Sequence, residues 1–158
     1  MKIINKIVLL TLFLCSSVTN AETANVFQHS IHQPMAQVYD RLYKALEDEG
    51  FYVVFEADMG KNLFRFAEKW GDNYNRNKLD SIRSMVFCNG WYANAVSNAD
   101  PAMLALCPLR LTIIEKEGVS RVLFARPTVI AADSPAKKIL TQVENEVIEI
   151  IKSSATIK

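Results

Sequence analysis

The chain is short of the residues that most simple chemistries need. It has two histidines, His29 and His32, and three cysteines, Cys15, Cys88 and Cys107. No Cys-x-x-Cys pair occurs, and no Lys or His stands beside Cys88 or Cys107 to favour a thiolate. Nucleophile-elbow, phosphate-loop and dinucleotide fingerprints are missing too. Charge of one sign is also lacking. Eighteen Lys and Arg stand against 17 Asp and Glu, for a formal net charge of +1. That balance gives no long-range field to draw in nucleic acid or an anionic membrane. There is no internal repeat and no low-complexity tract. After the first 21 residues, no segment is apolar enough to span a bilayer, which takes about 20 residues.

What is present begins with a three-part leader. Lys2 and Lys6 precede an apolar run from Ile7 to Leu14, and Thr19-Asn20-Ala21 supplies small residues at a cleavage site. The run is too short to be a membrane span. Cys15 follows Leu14, where a lipid-transfer site would need a small residue, so Cys15 reads as part of the removed leader. The expectation is a cleaved signal peptide at 1–21, a single domain at 22–158, and a periplasmic or secreted location with no stable membrane insertion after cleavage. Losing Lys2 and Lys6 takes the net charge from +1 to −1. Half the residues are hydrophobic, enough for a real core and too many for a disordered chain.

Hydrophobic spacing then predicts the elements. Residues 26–31 alternate weakly as a first strand. Over 34–49, Val38, Leu42, Ala45 and Leu46 mark a helical stripe, opened by Pro34 and stopped by Gly50. FYVVFE at 51–56 is a strand by its aromatic and β-branched content. Leu63, Phe64, Ala67 and Trp70 have the spacing of a short second helix. The polar stretch GDNYNRNKLD at 71–80 is read as a mobile loop. Residues 82–88 form another strand and 91–99 a small helix, broken at Asp100-Pro101. A hairpin joins 109–115 to 119–126 through Lys116-Glu117-Gly118. Ser134-Pro135 opens a final helix. Ile139, Leu140, Val143, Val147, Ile150 and Ile151 form its apolar stripe, with Glu144, Glu146, Glu149 and Lys152 on the remaining surface. Five strands and two long helices predict an α+β, two-layer sandwich, with helices on one face of a largely antiparallel sheet.

The order of these pieces carries a resemblance. A helix of the form xxxRLxxALExxGF runs through Asp40-Arg41-Leu42-Tyr43-Lys44-Ala45-Leu46-Glu47-Asp48-Glu49-Gly50-Phe51. A strand ends in a CNP-like turn at Phe87-Cys88-Asn89-Gly90, and an alanine-bearing helix follows with Trp91-Tyr92-Ala93-Asn94-Ala95. Asp100-Pro101 precedes an LPLRxxVxE-like strand, Leu106-Cys107-Pro108-Leu109-Arg110-Leu111-Thr112-Ile113-Ile114-Glu115. The succession, over residues 26–152, resembles the bacterial and archaeal domain of unknown function 302 family. That resemblance implies a two-layer α/β fold, often paired as a homodimer, and no established reaction. Gly90 stands where the family often has proline, and 70–80 is unusually polar.

Three sets of residues are candidates for chemistry. Cys88 ends one strand and Cys107 begins the next. Antiparallel neighbours would bring them to one edge of the sheet as a disulfide, whereas parallel strands would set them about 20 Å apart. A bridge would enclose 18 residues and contribute about 3 kcal/mol. The other reading is two small buried thiols. His29 and His32 precede Cys88 by more than 50 residues, a spacing that fits no zinc finger, and are read as solvated. Trp70, Tyr74, Asn89, Trp91 and Tyr92 form a binding surface if they converge, and ordinary packing if they do not. The functional expectation is a non-enzymatic exported binding or interaction module for a small ligand or protein partner, without metal or cofactor. The alternative is a thiol-based redox or catalytic factor centred on Cys88.

Overall fold

The computed structural model describes residues 25–155, so the expected leader at 1–21, with Cys15, lies outside the described residues. The strands and α-helices follow in the order β1 (Val26–Ile31), α1 (Met35–Asp48), β2 (Tyr52–Asp58), α2 (Met59–Phe64), α3 (Ala67–Trp70), β3 (Ser81–Cys88), α4 (Gly90–Ala99), β4 (Leu109–Lys116), β5 (Val119–Ala125), α5 (Pro127–Ile130) and α6 (Lys137–Ser154). The strands make one sheet in the order β1-β5-β4-β3-β2, with every neighbouring pair antiparallel. The architecture is α+β.

Alternation along the strands sends one row of side chains to the helix layer. Met85 and Phe87, Leu109, Leu111 and Ile113, and Val122 and Phe124 are all buried there. Val38, Leu42 and Leu46 of α1 and Val143, Val147 and Ile151 of α6 close over them in a single core. Each such side chain contributes roughly 1.5–3 kcal/mol through burial. Gly50, at φ 76, lets the chain leave α1 in a left-handed turn that an L side chain resists. At the other end of α1, a Glu115 carboxylate oxygen accepts the Met35 N–H at 2.9 Å.

Details depart from the sequence expectation. The short second helix is two helices, α2 and α3, and α2 crosses the sheet face opposite the main core. There the Met59 sulfur lies 3.2 Å from the Ser84 hydroxyl, and Ser84 points away from its neighbour Met85. A Cβ on Gly60 would stand 3.2 Å from the Ile82 backbone nitrogen, so glycine is what lets α2 approach β3. Helix α6 begins at Lys137. Ser134 instead shapes the preceding turn, donating to Asp100 at 2.6 Å and accepting the Ala136 N–H at 3.1 Å. Glu144, expected on the polar surface of the helix, is buried. A second, smaller cluster joins Val96, Ala131, Ala136 and Leu140 and anchors α4 to α6. Among the described residues no helix is long and apolar enough to cross a membrane.

Candidate functional site

A groove of about 610 Å³ opens between α2, the end of α3, the 73–81 segment and Ile82 on β3. Phe64 and Tyr74 meet edge to face across it at 6.3 Å, and Trp70 stacks on Phe66 at 5.0 Å. These aromatics are unusually open for their size: Phe64 is 67% exposed. Lys61 and Arg76 bring two cations to the same lining, and neither forms an ion pair among the described residues. The nearby carboxylate of Asp80 is already engaged, accepting the Glu117 N–H at 2.6 Å.

The polar segment that forms the groove's far wall is fastened. Asn75, in the left-handed region at φ 42, donates from its amide to the Leu79 carbonyl at 2.8 Å and accepts the Leu79 N–H at 2.9 Å. The Asp80 N–H then reaches the Glu115 carbonyl at 2.8 Å, tying the segment to β4. What reads as a mobile loop in the sequence is a stapled wall. Its composition is polar because the chain here bonds locally instead of joining a strand.

The five residues expected to share a binding surface fall into two groups. Trp70 and Tyr74 line the groove, at the Ser81 end of β3. Asn89, Trp91 and Tyr92 lie beyond Cys88, at the other end of that strand, about 23 Å away at 3.3 Å per residue. The side-chain oxygen of Asn89 caps α4, accepting the N–H groups of Trp91 at 3.1 Å and Tyr92 at 3.2 Å. Trp91 is 70% exposed and meets Tyr92 edge to face at 5.1 Å. The Tyr92 phenol donates to Glu146 of α6, and that bond, with partial burial, pushes its pKa up to about 12. The sequence reading missed Lys61, Phe64 and Arg76 as site residues. Only the concentration of aromatics between Phe64 and Tyr74 signals the groove in advance.

Strands β3 and β4 are antiparallel neighbours whose register ends at Phe87 opposite Leu109. Cys88 and Cys107 therefore emerge at the same end of the sheet, and both line a crevice of about 10 Å³ behind Tyr92. Both are free, half-buried thiols. Burial, reinforced by Cys88, pushes the Cys107 thiol above its ordinary range. The histidines sit elsewhere. His29 stacks on Phe27 within the edge strand β1, and His32 is exposed just after it. No group of three or more His, Cys, Asp or Glu that could hold a metal occurs among the described residues.

A third polar cluster bridges α1 to the β2–β3 pair. The buried Tyr39 phenol donates to Glu56, and the Arg83 guanidinium lies 3.5 Å from the Tyr39 ring centroid and 3.6 Å from the Glu56 carboxylate. Burial and the bond to Glu56 hold the Tyr39 phenol far above its ordinary pKa. The three side chains satisfy one another, which suits a structural tie from α1 to the sheet.

An antiparallel sheet in this order, covered by α1 and α6, is the fold of a known group of proteins. The family described as domain of unknown function DUF302 matches residues 27–154, and the chain belongs to that family. A crystal structure of an uncharacterized conserved DUF302 protein from Bacillus stearothermophilus superposes with a TM-score of 0.70 at 20% identity, over 82% of this chain and 97% of that one. At that identity the likeness concerns the fold alone. No curated protein sequence matches the chain.

Proposed function

We propose that this protein is an exported binding module that takes a small amphipathic anion in the groove between α2 and the stapled 73–81 wall. The observation that carries the reading is the pairing of exposed aromatic walls with two cations that have no carboxylate partner among the described residues. Phe64, Trp70 and Tyr74 offer flat apolar contact to an aromatic or alkyl body. Lys61 and Arg76 offer charge to a carboxylate or similar group at the polar rim. The lining has no histidine or cysteine, which favours retention of a ligand over its conversion. The leader-like start of the chain supports the periplasm or the exterior as the place of binding, and an N-terminus at Glu22 in the native protein is the matching result by mass spectrometry.

Calorimetry with naphthoate, beside the uncharged naphthamide, tests the groove. Naphthoate should bind at least tenfold more tightly, a difference of about 1.4 kcal/mol. Lys61→Gln/Arg76→Gln should erase that preference while leaving the thermal midpoint unchanged. Equal binding of the two probes, or naphthoate binding that the double variant leaves intact, overturns the reading.

A further inference from the structure

The crevice at the far end of β3 has a chemistry of its own, independent of the groove. Cys88 is the last residue of β3, and Cys107 stands two residues before Leu109, the end of the β3–β4 register. Phe51, Tyr92, Val96 and Leu140 make up much of the remaining wall, so the two sulfurs share an apolar recess. The recess has room for at most one water, and Cys88 is near enough for its charge to act on the Cys107 thiol. The 89–106 connection between them contains two capped helices, α4 opened by the Asn89 side chain and the 3-10 turn Pro101–Leu106 opened by the Asp100 side chain. Apart from its backbone junctions with β3 and β4, no covalent bond ties it to the sheet while the cysteines are free.

We propose that Cys88 and Cys107 form a reversible disulfide that locks the 89–106 connection, with Trp91 and Tyr92, against the end of the sheet. The oxidant is a low-molecular-weight disulfide. One cysteine, as thiolate, attacks it and releases the first small thiol. The second cysteine, losing its proton, displaces the other small thiol from the mixed disulfide. Two protein S–H bonds and one small-molecule S–S bond are lost; one protein S–S bond and two small thiols are gained, so electrons and protons balance. The raised pKa of Cys107 slows at neutral pH whichever of the two steps its thiolate carries, and that step quickens as the solution becomes alkaline.

The sequence makes the test direct. No Lys or Arg occurs between Arg83 and Arg110, so trypsin leaves both cysteines in one peptide, 84–110, while Cys15 falls in another. The full chain is equilibrated with oxidised glutathione, unfolded in an alkylating agent and digested. Peptide 84–110 should appear unalkylated and lighter by two hydrogens, and should gain two alkyl groups after reduction. Oxidised wild type should also melt roughly 10 °C above reduced protein, with Cys88→Ser indifferent to reductant. Two alkylated cysteines after oxidation, glutathione retained on the peptide, or peptides cross-linked between chains would each overturn the proposal. The peptide readouts come from wild-type protein and do not depend on the variant folding.

Discussion

Glu144 lies under Arg126, with the guanidinium Nε 2.6 Å from a carboxylate oxygen and the carboxylate only 2% exposed. The backbone N–H of Thr128 donates to the second oxygen at 3.1 Å, and the Thr128 hydroxyl donates to it as well. The arrangement pins α5 to α6. A buried carboxylate with all its donors is stable, but one stripped of its cation is costly. Arg126 is 39% exposed, so water recovers part of the loss. Arg126→Ala should therefore cost about 2 kcal/mol in urea denaturation. Adding Glu144→Leu should recover most of that, because the uncompensated charge is gone. Strictly additive losses in the two variants would mean that the pair is not coupled.

The Tyr92–Glu146 bond makes a pH prediction. The phenol donates, so the folded state favours the protonated form and its pKa rises to about 12. A group raised in this way stabilises the fold fully below its unfolded value, near 10. That contribution is lost as pH rises from there through about 12. Spectrophotometric titration of the tyrosines should show late phenolate transitions that include Tyr92 and the more strongly raised Tyr39, and Glu146→Ala should move only that of Tyr92 to lower pH. The same variant should cost less than about 1 kcal/mol at neutral pH, since the bond is solvent-exposed. Superimposable titration curves for wild type and variant would contradict the assignment.

How far these features can be read in advance depends on whether they are local. The stripe of α6, the turn at Gly50 and the hairpin around Gly118 follow from spacing and backbone preference within a few residues, and each is found where the sequence places it. Glu144 reads as solvated because its partners, Arg126 and Thr128, lie outside the helix and on no shared period. The binding residues are legible in type but not in place. Trp70 and Tyr74 look close along the chain to Trp91 and Tyr92, yet β3 carries the two pairs to opposite ends of the sheet. Beyond the aromatics between Phe64 and Tyr74, the groove leaves no mark in the sequence, since its depth depends on α2 approaching β3 at Gly60. The polarity of 71–80 signals the absence of a strand, but not the Asn75 staple that replaces one.

Gly60 fixes how deeply α2 sits. Alanine there would gain about 1 kcal/mol of helix propensity. Its Cβ would also meet the Ile82 backbone nitrogen at 3.2 Å, on a residue held in register with Ile114 of β4. We expect the contact to win, so that Gly60→Ala is destabilised by about 1 kcal/mol and binds naphthoate more weakly as the groove distorts. A variant more stable than wild type, with unchanged binding, would show that α2 has slack on the sheet.

The Asn75 staple separates backbone strain from hydrogen bonding. Asn75 does two things at once: it occupies the left-handed region at φ 42, and it makes two side-chain bonds to Leu79. Asn75→Gly keeps the backbone at ease but removes both bonds, each contributing about 0.5–1.5 kcal/mol. Asn75→Ala removes the same bonds and adds a left-handed penalty of roughly 1 kcal/mol. Stability measured by chemical denaturation should therefore fall in the order wild type, Gly, Ala. Because the staple holds the wall that carries Arg76, both variants should also lose naphthoate affinity, and by similar factors, since they lose the same bonds. If alanine proves as stable as glycine, strain at this position is not what asparagine relieves. If both bind the probe as wild type does, the wall keeps its shape without the staple, and the polar segment contributes to the groove through Arg76 alone.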